Sequence, residues 1–182
     1  MSMNRLLKRA FIAALSGLLA CGAMAADMRV ALPERPALVI PLPVGWRGQI
    51  RRAAPELPPT VVLSSITEKN FQIMVTPLWS MRADAKPLTP DFLRAMVAAA
   101  AEKAKPQAVE AELPVRELSG QGLFGAYFSA TDKAPKPGEY RNLTQGMVAV
   151  GELQVGFTIL SNGDAAAVNG PAIQMLQSLR RD

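Results

Sequence analysis

The stretch YRNLTQGMVAVGELQVGFTILS, residues 140–161, holds two runs of strand-forming residues, 140–150 and 153–161, separated only by Gly151-Glu152. A two-residue link containing glycine, set between apolar runs, is the signature of a tight antiparallel hairpin. In the second run Leu153, Val155, Phe157 and Ile159 alternate with Gln154, Gly156 and Thr158. One face of the resulting sheet is therefore buried more deeply than the other. Asn162-Gly163 ends the run, and a C-terminal helix is expected over about 171–180, with Ala172, Met175, Leu176 and Leu179 as its inner stripe.

Upstream, the polar segment 132–138 carries two prolines and reads as a loop. Before it, runs 112–118 and 123–130 flank Ser119-Gly120-Gln121-Gly122, a second hairpin turn. A third hairpin is expected from the β-branched run 60–66, the polar link Thr67-Glu68-Lys69-Asn70, and a strand in which Phe71, Ile73 and Val75 point one way and Gln72, Met74 and Thr76 the other. Pro77 breaks its period. Between these hairpins lies a helix with complete boundary signals: Thr89 as cap, Pro90 at the first position, Asp91 in the first turn, Lys103 and Lys105 at the end, and Pro106 as the stop. Leu93, Met96, Val97, Ala100, Ala101 and Ala104 form its apolar stripe, and the alanine-rich end permits close approach to a sheet. The segment 33–59 is rich in proline and is expected to hold one short strand, near 37–40, within extended coil. Strands, helix, strands, helix give an α+β domain: an antiparallel sheet of about six or seven strands with two amphipathic helices packed on it.

The N-terminus gives an address. Arg5, Lys8 and Arg9 precede an uncharged apolar run, 10–20, and Ala23-Met24-Ala25 supplies a small-x-small cleavage pattern. This reads as a secretory signal peptide, residues 1–25, cut after Ala25 to leave a single domain over 26–182 in the periplasm. The apolar run is shorter than the roughly 20 residues needed to cross a bilayer. No other segment approaches that length without charge or proline, so a soluble mature protein with no membrane span is expected. Leu18-Leu19-Ala20-Cys21 is the alternative, a lipobox that would leave an outer- or inner-membrane lipoprotein acylated at Cys21; leucine at its middle position fits that pattern poorly. Removing the three N-terminal cations leaves 17 basic against 15 acidic residues, a net charge of +2. That near-neutral balance gives no case for nucleic-acid binding.

The chain has no histidine, and Cys21 is its only cysteine. Once the signal is removed, histidine- or cysteine-dependent nucleophilic systems, disulfides and the usual zinc, copper and haem ligands are excluded. No S-x-x-K motif occurs, and Asp84, Asp91, Asp132, Glu139 and Asp164 stand singly, without an EF-hand spacing or an evident carboxylate pair. The expectation is no enzyme, no cofactor and no metal site. Methionines 28, 74, 81, 96, 147 and 175 are spread along the sequence and read as core packing rather than as a copper cluster.

One resemblance covers nearly all of residues 28–180. A strand running into Pro41-Leu42-Pro43-Val44-Gly45-Trp46, the hairpin before the middle helix, and late strands leading to a helix ending Met175-Leu176-Gln177-Ser178-Leu179 resemble the PsbP-like superfamily. That group includes the photosystem subunit PsbP and DcrB-type bacterial envelope proteins. The resemblance implies an antiparallel sheet with helices against it, and action by binding or assembly rather than by a catalytic site.

The leading functional expectation is thus an exported, non-enzymatic envelope protein that binds an unidentified envelope protein partner. Trp46, Trp79, Tyr140 and Arg141 are the candidate contacts, because aromatic residues and arginine are enriched at binding hot spots. Residue by residue, Trp46 reads better as a plug at the core edge and Trp79 as a cap on a sheet end. Tyr140 and Arg141, beside the proline-bearing loop, read as more exposed than buried. The alternative is a carrier of a small apolar molecule or lipid. Gly125, Gly146 and Gly156 lie inside strands, where missing side chains could leave space or instead mark bulges and close packing. The place for such a pocket is between the sheet and the helix at 90–105.

Overall fold

A computed structural model describes residues 24–54, 57–67, 70–79 and 87–182. Cys21 and the signal segment before residue 24 lie outside the described residues, as do Met81 and Asp84.

The hairpin at Gly151-Glu152 forms as its sequence requires. Strands β8 (Asn142–Val150) and β9 (Leu153–Ser161) pair antiparallel from Val150↔Leu153 to Asn142↔Ser161, and Gly151 supplies the positive φ of 60° that the turn needs. They lie inside a seven-stranded antiparallel sheet. Its other members are β3 (Trp46–Arg51), β4 (Thr60–Ser65), β5 (Phe71–Leu78), β6 (Arg116–Gly120) and β7 (Leu123–Thr131), in the order β3-β4-β5-β9-β8-β7-β6. Pro77 does not end β5. It pairs with Val155 of β9 and lies beyond the residues of β5 that pair with β4, so its missing N–H interrupts no observed β4–β5 pair.

The two faces of this sheet differ. Leu63, Ile73, Val75, Val148, Val155, Phe157 and Ile159 share the core face and are nearly or fully buried. They pack with helix α2 (Ala165–Gln177) and with a second, three-stranded sheet, β1 (Met24–Leu32), β2 (Arg35–Pro43) and β10 (Arg180–Arg181), ordered β1-β2-β10. On the opposite face, helix α1 (Pro90–Ala104) lies over β7 and β8 and buries Leu93, Val97 and Ala101. Thr89 caps α1 as expected, its Oγ1 accepting from Phe92 N at 3.2 Å, and a single 3-10 turn at 105–107 carries Pro106.

Three expectations need correction. The proline-rich segment holds two strands, β2 and β3, rather than one, and β2 is preceded by β1. Proline is accommodated because β10 pairs β2 only at Leu38 and Val39, in the gap between Pro36 and Pro41. The C-terminal helix begins at Ala165 instead of Pro171: the Asp164 carboxylate accepts from Ala166 N at 2.9 Å and caps it, leaving Pro171 inside the helix. The chain then turns back through β10. Arg180 pairs with Asp27 and Arg29 with Asp182, tying this last strand to β1. Strand β6 starts at Arg116, so 112–115 is irregular. The inner stripe of Ala172, Met175, Leu176 and Leu179 is buried as expected.

Candidate binding site on the flank of helix α1

Because α1 lies mainly over β7 and β8, its flank toward β9 meets a sheet face on which, among the described residues, no second helix sits. Two recesses lie end to end along this seam. The larger, about 270 Å³, sits beneath Met96, Val97 and Ala100 of α1, with Met74 and Thr76 of β5, Met147 of β8, and Gly156 and Thr158 of β9 among its lining. The smaller, about 170 Å³, continues past Ala104 to Leu143, Leu160, Tyr140 and Arg141. Thr158 to Leu160 is one same-face step along β9, and Ala100 to Ala104 is one turn of α1, so the recesses are consecutive. A recess does lie between the sheet and the 90–105 helix, where a carrier would need one.

The three strand glycines divide. A methyl group at Gly156 would meet only the Thr76 carbonyl oxygen, at 4.0 Å, so this position leaves the recess floor open. A methyl at Gly125 would stand 2.2 Å from Met147 O, and one at Gly146 2.3 Å from Ala126 O, so these two allow close packing instead. Near the recess the polar groups are largely engaged with one another: Thr60 Oγ1 and Thr76 Oγ1 are 2.9 Å apart, and Gln154 Nε2 donates to Met147 Sδ at 3.1 Å.

Tyr140 and Arg141 close the loop between β7 and β8. Asp132 N donates to Arg141 O at 2.8 Å, Arg141 N donates to Asn162 Oδ1 at 2.9 Å, and Ala134 N donates to Asp132 Oδ1 at 2.9 Å. The backbone is pinned while the Arg141 side chain stays exposed. Tyr140 is half-buried, deeper than its loop setting suggested, and it also lines a recess with Gln72 and Arg47 at the end of the sheet. Trp46 lies at that same end, its ring centroid 4.7 Å from that of Phe71, half-buried against the core. Trp79 follows β5 at its opposite end, so the two tryptophans do not belong to one site.

The carboxyl of Glu110 holds the loop from below. It accepts from Thr131 N at 2.8 Å and from Thr131 Oγ1 at 2.7 Å. Partial burial pushes this carboxyl upward, but the two Thr131 hydrogen bonds outweigh it, and Glu110 titrates below the ordinary glutamate range. A carboxyl depressed in the folded state adds stability above its unfolded pKa and loses it as pH falls through the folded value. Glu110→Gln is therefore expected to cost under about 1 kcal/mol near neutral pH, the group being exposed, and progressively less as the pH falls through the folded-state pKa of Glu110. Urea midpoints of parent and variant should converge on acidification; a gap independent of pH would contradict the assignment.

No protein-family model matches the sequence, and no curated protein matches it at a significant level. Solved structures do. The solution structure of cyanobacterial PsbP (CyanoP) from Synechocystis aligns with a TM-score of 0.51 at 13% identity, covering 91% of this chain and 99% of that one. A crystal structure from Bacteroides thetaiotaomicron aligns with a TM-score of 0.50 at 8% identity, covering 80% of this chain. The present chain spans 45% of that protein's length. At these identities the likeness shows the fold alone, and the fold is PsbP-like α+β. Among the described residues no helix is long and apolar enough to cross a membrane.

Proposed function

We propose that this chain is an exported, non-enzymatic envelope protein that binds a protein partner, as an assembly or accessory factor, along the flank of α1. The observation that carries this reading is the seam itself: two consecutive recesses with a half-buried tyrosine and an exposed arginine at one end, on a loop whose backbone is fixed. A rigid loop presenting Tyr and Arg beside an apolar depression has the composition of a hot spot and loses little entropy on association. The export signal and the PsbP-like fold support the setting.

A photoreactive residue in place of Arg141 is expected to give one discrete adduct in intact cells at native abundance, whereas the same residue in place of Leu57, which is also exposed and lines neither recess, gives none. In purified form, Tyr140→Ala should weaken the captured complex by about 2 kcal/mol. Equal labelling at both positions would refute the reading.

A second reading is favoured by the larger recess: carriage of a small apolar molecule. A cavity of about 150 Å³ already accommodates a benzene-sized guest, so 270 Å³ suffices for a short acyl or monoaromatic group. Native mass spectrometry of gently purified protein would show such a guest as a discrete added mass.

A further inference from the structure

Residues 74, 96 and 147 are far apart in the sequence, yet the fold brings these three methionines to one recess. The strand order explains how. β5 and β8 both flank β9, where Met74 pairs with Thr158 and Met147 with Gly156, one same-face step apart. Gly156 raises no side chain between them, and Met96 enters from α1 above.

Methionine usually fills irregular gaps in cores. Here three methionines border a space that remains open, about 270 Å³, and all three stay half-buried. The thioether of Met147 is oriented by the hydrogen bond from Gln154 Nε2, which uses one sulfur lone pair and leaves the other for a ligand. Among the described residues no carboxylate lines the recess, and its lining offers a hard cation such as calcium or magnesium no charged oxygen. Thioethers are soft donors, which select monovalent soft ions.

We infer that the α1 recess is a binding site for one soft monovalent cation, Cu(I) or its redox-inert analogue Ag(I), held by the sulfur atoms of Met74, Met96 and Met147. This is binding without electron transfer; the ion enters and leaves in the same oxidation state. It departs from the sequence expectation that these methionines serve packing. It stands independently of the partner-binding reading.

The test uses the full chain with Cys21→Ser, which removes the only thiol, and Ag(I) in chloride-free buffer. One ion per chain is expected in calorimetric titration, with displacement of the methyl NMR signals of Met74, Met96 and Met147 but not of buried Met175. Met96→Leu, close in volume, should leave the metal-free melting temperature nearly unchanged and weaken Ag(I) binding at least about tenfold. The Met74→Leu, Met96→Leu, Met147→Leu triple variant should lose saturable binding; if it does not fold, the single variant and the methyl signals decide. Equal affinity of parent and Met96→Leu, or shifts confined to methionines outside the recess, would overturn the inference. Uptake of decane without uptake of Ag(I) would also overturn it, while leaving the apolar-carrier reading in place.

Discussion

Gly146→Ala is expected to lower the stability of this domain by about 3 kcal/mol, near the upper end of the ordinary overpacking range. A single methyl has this effect because of what surrounds it. The added carbon would lie 2.3 Å from Ala126 O, 2.6 Å from Phe157 Cζ and 2.6 Å from Tyr127 Cβ. The phenyl tip can swing, but the carbonyl of Ala126 belongs to the neighbouring strand, so relief means parting β7 from β8 in the middle of the sheet. The gain from replacing glycine in a strand interior, roughly 0.5–1 kcal/mol of backbone entropy, does not offset this. Gly125→Ala is expected to behave alike, since its methyl would meet Met147 O at 2.2 Å and Val148 Cα at 2.9 Å. Gly156→Ala is the control: the nearest atom is 4.0 Å away, so stability should hold while the recess floor rises. For a domain of this size, about 3 kcal/mol corresponds to a fall in melting temperature of roughly 10 °C. Equal melting temperatures for the Gly146 and Gly156 variants would show that the sheet yields at no cost.

That contrast also marks where sequence reasoning stopped. Glycine in a strand announces either empty space or close approach, and the choice depends on which atoms the paired strand presents. Those atoms follow from register, and the register of β7 on β8 rests on pairing across the 132–141 loop. Local signals were legible where one short segment contains its own cause. Gly151-Glu152 admits little but a turn, and Thr89, Pro90 and Pro106 bracket α1 almost to the residue. The early strands were illegible for the opposite reason. Proline argues against a strand unless its missing donor falls where no partner sits, and here that depends on β10, two residues at the far end of the chain. Asp164 is a miss of another kind: its cap on Ala166 N is local, yet Pro171 competed with it as a start signal, and α2 begins one full turn and more ahead of Pro171.

The candidate site was legible in location and not in chemistry. Alternation in β5 placed Met74 with Gln72 and Thr76 on the less buried face, and helical spacing placed Met96 on the stripe of α1. That β9 would insert between β5 and β8, and so draw Met74 and Met147 to either side of Gly156, is a long-range pairing that periodicity does not encode. Loop composition alone singled out Tyr140 and Arg141 as candidates. The partial burial of Tyr140 was not legible there: it borders recesses whose other lining residues, such as Arg47, Gln72 and Leu160, lie on β3, β5 and β9.

The second large effect is expected at Phe128, which joins the two halves of the α1 face. Its ring is fully buried and packs in the cluster formed by Val97 and Ala101 of α1 with Ala126 and Ala130 of β7. It also forms part of the recess wall. The α1 residues buried in its cluster, Val97 and Ala101, are small, so they cannot by themselves fill the space a truncation would leave. Phe128→Ala should therefore cost about 3–5 kcal/mol, the transfer term plus the cavity left behind. The loss should be largely local to α1, because the core face, with α2 and the three-stranded sheet, shares none of these contacts. Hydrogen exchange should consequently accelerate in α1 and β7 before β5 and β9. The void would open into the existing recess, and an apolar guest such as benzene should bind it and restore part of the stability in proportion to the logarithm of its concentration. A cost below about 1 kcal/mol, or no stabilisation by benzene, would mean that α1 settles onto the sheet once the ring is gone, and that the recess is not held open by the packing described.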